Sequence, residues 1–524
     1  MNKSIKLLVI STLFPISLPV ECQNFNFIQY DNQGVENSES YTKGNLFQKD
    51  LLLYMNILKE SHPAFSDELK PPFDIYKITS DGYRWAANCK SINELQNYLQ
   101  KITTLINDGH TLLMPNYSVN AIFPFQIFID EQKIYLRAIN KEFKTALGKE
   151  IVKINNAPAL DVINSFKTSI SSDNEIYFLD KVINFMQFFS SWEGNRYYKK
   201  DSTLALTFAD KSTVLLKPVS RNQLNIVSVN SQGATNSPRT STKQPFLYKL
   251  FSEKNICYLQ FNSCADQSTA RQQLLSSGQN ITEQQEQMLT QMPRFDTFLS
   301  ELFENIEKNS VKTLIVDVRN NGGGNSRLCE LLMSWLKSSN TIKQETAVIR
   351  FSKLWEMQYP VLADEYKSKF AKKNVAFEYG KLYESAYLSQ FENSDTAFYN
   401  KMNEYFQQND DENKIFNGNV VFIQNSDTYS SAGLLITDVA DNNIGTVIGT
   451  KSSYRPCHYG DLLAFTLPNT NIKGFVSHKI FYRPDKDKCT ETSLIPDVEI
   501  KSVWADILNG NDKYWEWILK NYTK

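Results

Sequence analysis

The sequence reads as an α/β multidomain protein, and three features carry that reading. From Leu247 onward short apolar strands such as Ile256-Cys257-Tyr258-Leu259-Gln260-Phe261 alternate with helices of 3.6-residue apolar spacing. Ahead of them lies a mixed, strand-rich stretch, preceded by one with helical periodicity. A length of 524 residues exceeds one ordinary domain, and 41% apolar with 22% charged residues describe a globular chain. The formal net charge of -1 gives no electrostatic case for nucleic acid.

Taken in order, residues 1–22 read as a signal peptide. Lys3 and Lys6 precede the apolar run Leu7 to Phe14, and Val20-Glu21-Cys22 would be followed by cleavage before Gln23. The expected destination is the periplasm or the extracellular space. Lipoprotein anchoring at Cys22 is the rival, and Glu21 opposes it, because that processing needs a small residue before the cysteine. No later stretch is long and apolar enough to span a bilayer. Residues 45–115 form an N-terminal helical domain, periodic over Leu51 to Met55 and Leu95 to Ile106 and interrupted near Pro71-Pro72.

Residues 121–219 are β-rich, with a hairpin of Phe123 to Ile129 and Lys133 to Ala138 across Asp130-Glu131-Gln132. Residues 220–244, rich in Asn, Ser, Thr and Gln, read as a linker or exposed loop. The strand–helix alternation fills 245–500. Within it 351–416, dense in aromatic and charged residues, is an insert that serves as a lid or as a satellite core. Residues 501–524, with Trp504, Trp515 and Trp517, read as a C-terminal helix docked by aromatics.

Two segments carry chemistry. Gly418 to Asn425 reads as a short buried strand, and the apolar spacing of Leu434, Leu435, Ile436, Val439 and Ala440 reads as the following helix. Between them Thr428-Tyr429-Ser430-Ser431 puts hydroxyls on a turn at a helix N-terminus, where amide N–H groups and the helix dipole would stabilise a developing oxyanion. Ser430 is a candidate nucleophile there, or an N-cap. In the second segment the strand Lys312 to Arg319 runs into Asn320-Asn321-Gly322-Gly323-Gly324, and Ser326 would cap the next helix. Successive glycines leave amides bare and allow positive φ, so this loop suits an oxyanion hole or a tight turn. It lacks the Gly-Lys-Ser/Thr ending of a phosphate-binding loop.

Together these segments resemble the C-terminal-processing (tail-specific) serine peptidases and the related tricorn core proteases. The motifs are Asp317-x-Arg319-x-Asn321-x-Gly323-Gly324, then Thr428-x-Ser430, then Val447-Ile448-Gly449-Thr450, then Ile495-Pro496-Asp497-Val498, in the family's order. The resemblance implies a mixed β/α catalytic domain of the ClpP/crotonase-like spiral kind, with Ser430 as nucleophile. Backbone N–H groups of Gly323 or Gly324 and of Ser431 would form the oxyanion hole. Tail-specific members take a lysine base after the glycine, but the equivalent place falls near Arg455, which cannot lose its proton; Lys451 is the nearby substitute. The tricorn-like branch takes a histidine from the N-terminal part, and Asp108-Gly109-His110-Thr111 resembles its segment, so His110 is preferred as base.

That branch also has a serine before the histidine, replaced here by Gly109, and a carboxylate near the closing segment. Glu491 is the candidate for that carboxylate, with a solvated loop charge as its alternative, and with Gly109 in the serine's place either Asp108 or Glu491 through another hydroxyl would orient the base. Gly433 replaces the glutamate of the tail-specific nucleophile helix. Gly148 to Asn155 resembles part of a PDZ domain, which would take a peptide as an added strand; a purely supporting β-domain is the other reading.

The activity implied is hydrolysis of peptide bonds in unfolded or extended polypeptides, with no cofactor and no metal. The alternative is a catalytically inactive peptide- or hydrophobic-ligand-binding member of the same fold, favoured by Gly109, Gly433 and Arg455. Cys457 and Cys489 fall in loops flanking the site and are expected to form a disulfide, while Cys329 on an apolar helix is expected buried and free. Adjacent Cys457-His458 is poor chelating geometry for zinc.

Overall fold

The computed structural model describes residues 27–114, 121–199, 203–230, 236–240, 242–276, 280–343, 345–389 and 408–523. The signal-peptide reading of 1–22 lies outside them. Among the described residues no helix is long and apolar enough to cross a membrane.

The fold is mixed α/β and multidomain, and its centre is a six-stranded sheet. Its order is Phe246–Phe251, Ile256–Phe261, Thr313–Asp317, Asn419–Gln424, Thr446–Gly449 and Val498–Glu499. Only the first pair is antiparallel; the rest run parallel. Helices cover such strands on both faces, which is why Thr313–Asp317 is buried throughout and reads as a continuous apolar run. The closing Pro-Asp segment ends this sheet: Val498 pairs with Ile448, and Asp497 Oδ2 accepts from the Val447 amide at 2.8 Å.

A second sheet runs Ile28–Gln29, His458–Thr466, Lys473–Tyr482, Thr346–Arg350, Leu382–Glu384, with Leu112–Leu113 also pairing antiparallel to Phe475 and Gly474. Helix Leu46–Ser61 starts in a capping box of Asn45 and Gln48, and Ile92–Thr104 is capped by Ser91. Their apolar faces, among them Leu51, Leu58 and Leu99, share one core with Leu463 and Phe465 of this sheet. Phe351, Trp355, Phe370 and Tyr383 from the insert enter the same core, so the described part of 351–416 is a packing layer. Burial of four large rings outweighs any lid role for them.

The expected hairpin forms as Phe125–Asp130 with Lys133–Asn140. The reading of 220–244 as linker or exposed loop is corrected: Ile226–Ser228 pairs antiparallel with Asn140 to Ala138, and Arg239 sits 3.2 Å from buried Asp317. Polar composition hid a short edge strand whose partner lies far away in sequence. The single C-terminal helix is also corrected, to Trp504–Asn509 and Lys513–Tyr522. Gly510 ends the first in a left-handed conformation at φ 66°, and Asp512 caps the second. Asp512 also receives Arg319 Nη1 and Nη2 at 3.1 and 3.0 Å, tying the chain end to the exit of the strand Thr313–Asp317.

Candidate active site

Two neighbouring parallel strands, Thr313–Asp317 and Asn419–Gln424, deliver the glycine loop and the nucleophile turn to one edge of the central sheet. The two loops are laced together. Tyr429 N–H donates to the Asn321 carbonyl at 2.9 Å, Thr428 Oγ1 to the Val318 carbonyl at 2.9 Å, and Asn320 N–H to Asn425 Oδ1 at 2.9 Å. Asp317 and Arg319 of the first motif pair with each other and with Arg239 and Asp512, so their work is structural.

Ser430 has φ 50° and ψ -127°, directly before the helix Ser431–Asn442. Such a conformation in a non-glycine residue stores about 1–3 kcal/mol and persists only where the surrounding structure holds it. Its side chain makes no capping hydrogen bond, which removes the N-cap reading. The strained turn is the geometry of a nucleophile elbow. Ser326 likewise makes no cap bond; Asn325 Oδ1 accepts the Arg327 amide at 3.0 Å instead.

In the glycine loop φ is 104° at Gly323 and 135° at Gly324. The Gly323 amide is taken by Asn321 Oδ1 at 2.9 Å. Gly324 bridges Cys264, with the bonds made by its neighbours: the Cys264 amide donates to the Gly323 carbonyl and the Asn325 amide to the Cys264 carbonyl. The Gly324 carbonyl faces the nucleophile turn and accepts from Ser431 Oγ at 2.7 Å. Ser431 is the first helical residue, so its amide has no intrahelical partner.

His110 is buried and reaches this turn from the N-terminal helices. Pairing of Leu112–Leu113 with Gly474 and Phe475 sets its position. Its ring stacks on Tyr429, next to Ser430 in the chain, with centroids 4.6 Å apart, and on its other neighbour His458 at 5.5 Å. Nδ1 lies 3.2 Å from Tyr429 Oη, and Tyr429 Oη donates to Asp173 Oδ2 at 2.6 Å. The phenol has one proton, so at Nδ1 its oxygen accepts; His110 therefore holds its proton on Nδ1 and Nε2 is the basic nitrogen. Burial, followed by the charge of Asp108, raises the Asp173 carboxyl above its usual range. Burial and then the charge of His110 push His458 down to about 3, leaving a neutral ring in the stack.

Asp108 organises the segment around His110. It accepts from the His110 amide at 2.9 Å, Thr111 Oγ1 at 2.6 Å, Ser477 Oγ at 2.7 Å and His62 Nε2 at 3.1 Å. Burial alone would raise this carboxyl, but hydrogen bonds from His110 and His62 hold it well below the usual range. Gly109 is explained by space: a Cβ there would lie 2.5 Å from Tyr429 Oη and 2.9 Å from Tyr177 Cζ. Gly433 is explained likewise, since a Cβ would meet the Tyr454 ring at 2.8 Å.

The structure does not bring every candidate to His110. Glu491 Oε2 pairs with Arg483 Nη1 at 2.5 Å, and Arg483 also grips buried Asp441. Arg483 thus bridges Asp441 and Glu491 in one ion-pair cluster. Arg455 donates to the Asp173 carbonyl at 2.7 Å, and Lys451 lies exposed. Cys457 and Cys489 form a disulfide with Cα atoms 5.2 Å apart, and Cys329 is a buried free thiol. Tyr429, Asp173 and His458 escaped the sequence reading; only Tyr429, inside the nucleophile motif, carried a local signal.

Comparison with known proteins agrees with this geometry. Residues 287–500 match the family model for peptidase family S41, a span that holds Ser430 and the glycine loop but not His110. No curated protein sequence matches the chain. Among solved structures, mature CPAF is similar at 13% identity, with 93% of this chain and 97% of that one covered and a TM-score of 0.59. Mature CPAF complexed with lactacystin gives 13%, 93%, 98% and 0.58. At those identities the likeness is one of fold. Residues 287–500 thus carry a likeness to the serine peptidases of family S41, in line with the resemblance to C-terminal-processing peptidases.

Proposed function

We propose that the protein is an exported serine peptidase that cleaves peptide bonds in unfolded or extended polypeptides, with Ser430 as nucleophile and His110 as general base. The observation that carries this reading is the strained, uncapped Ser430 turn with the His110 imidazole stacked on the adjoining Tyr429. Ser430 Oγ attacks the substrate carbonyl carbon while Nε2 of His110 takes its proton. The amides of Gly324 and Ser431 stabilise the oxyanion, a role that the Ser431 Oγ to Gly324 carbonyl bond supports by holding the two donors together. His110 then gives the proton to the leaving amine, and water repeats the sequence on the acyl-enzyme.

In this reading Asp173 and Tyr429 are the groups that orient the base, in place of Glu491. Asp173 fixes the Tyr429 hydroxyl, which fixes the Nδ1–H tautomer. The Cys457–Cys489 disulfide supports export, because such bonds persist in oxidising compartments. A fluorophosphonate probe should label the native protein and not Ser430→Ala. Equal labelling of both would reject Ser430, and no labelling of either would favour the ligand-binding alternative.

A further inference from the structure

Two free thiols flank the glycine loop, and neither has a part in the mechanism above. Cys264 Sγ and Cys329 Sγ are 3.7 Å apart in the core, with both side chains buried. Each is wired to the site. Cys264 makes the backbone bridge to Gly324, and its sulfur lies 3.8 Å from Asn321 Oδ1, the acceptor of the Gly323 amide. Cys329 Sγ donates to the Ser431 carbonyl at 3.3 Å. One thiol thus braces one proposed oxyanion donor and the second thiol braces the other.

We propose that Cys264 and Cys329 are a disulfide-forming site that reports the redox state of the surroundings to the glycine loop. Thiolate from one cysteine attacks a disulfide oxidant of the glutathione class, forming a mixed disulfide and releasing one glutathione thiol. The second thiolate displaces the other, so two protein thiols are oxidised while one oxidised glutathione becomes two reduced ones. Closing the sulfurs from 3.7 Å to about 2 Å draws the Cys264 bridge toward the nucleophile helix. It also removes the S–H donor from the Ser431 carbonyl. Both amides then leave the positions at which they face a common oxyanion. The bond with Cys264, and then burial, raise the Cys329 thiol and keep it protonated, so exchange requires the loop to open and is slow.

Bond formation is independent of the peptidase reading, whereas its effect on turnover rests on that reading. The native, full chain is incubated with oxidised glutathione, then denatured, alkylated and mapped by mass spectrometry, with turnover followed in parallel. The expected result is a crosslinked peptide pair containing Cys264 and Cys329, a fall in turnover of about tenfold or more in proportion to the crosslink, and reversal by reduced glutathione. Cys264→Ala should lose the response. Full alkylation of both thiols after prolonged oxidation overturns the proposal, as does a complete crosslink with unchanged turnover. If the untreated protein cleaves no peptide, the peptidase reading alone fails, and mapping of wild type still decides whether the bond forms.

Discussion

At the scale of single residues, the proposed mechanism has His110 work through a tautomer that Tyr429 and Asp173 hold. Because Tyr429 Oη gives its only proton to Asp173, Tyr429→Phe removes the acceptor for Nδ1–H and frees the ring to turn. Turnover should fall by roughly tenfold or more with little change in KM, as loss of an orienting partner does in other serine hydrolases. His110→Ala should abolish turnover, and Lys451→Ala should be mild; the reverse pattern in steady-state kinetics would restore a Ser–Lys pair. Activity should rise with pH as the base loses its proton, and His458, held to about 3, does not contribute to that rise.

A separate residue sets a pH dependence of stability. Burial first, then the charge of Glu330, raises the Glu345 carboxyl to about 8, and its Oε2 is buried without a hydrogen-bond partner. A raised folded value means that folding binds the proton. The contribution is complete below the ordinary carboxylate value of 4.5 and is lost as pH climbs through 8. Glu345→Gln should therefore raise Tm at pH 9 and leave it nearly unchanged at pH 4, as thermal melts would record.

At the scale of elements, the glycines act through backbone and space. A Cβ on Gly324 would stand 2.2 Å from the Cys264 carbonyl oxygen, and its φ of 135° excludes other residues. Gly324→Ala should push the loop away from Cys264 and carry its amide with it. Losing one oxyanion donor costs about 3–4 kcal/mol of barrier, so turnover should drop far more than binding weakens. A raised KM with normal turnover would instead make the loop a substrate-binding element. Restoring the serine of the resembling branch, Gly109→Ser, should do harm: its Cβ would displace Tyr429 Oη, lowering both Tm and turnover.

At the scale of the whole molecule, His110 and the Tyr429-Ser430 turn are 319 or more positions apart and come together because the helical part docks on the second sheet. Asp50 is one clasp of that docking. Its carboxylate accepts from Asn469 Nδ2 at 2.7 Å and from the Thr470 amide and Oγ1 at 2.7 and 2.6 Å. Asp50→Ala leaves the buried Thr470 donors unpaired and should cost about 1–3 kcal/mol. It should also reduce turnover, since the same docking positions His110. Chemical denaturation and kinetics on one preparation would test both, and a stability loss with unchanged turnover would separate the clasp from the site.

What the sequence determined by itself is local. Strand, turn and helix around Ser430 and around Gly322 to Gly324 were legible because their apolar periodicity, glycines and hydroxyls lie within a few residues of one another. His110 was legible only through its resembling motif, since a lone histidine has no local signature. Tertiary structure decided the rest. Tyr429 and Asp173 are 256 positions apart and Gly109 and Asp173 are 64 apart, so no window of sequence contains their contact. Glu491 shows the same limit: a loop carboxylate pairs with whichever cation packing places beside it, here Arg483. Periodicity and turn chemistry are written along the chain, but the partner of a buried polar group is chosen by which distant segments the cores bring together.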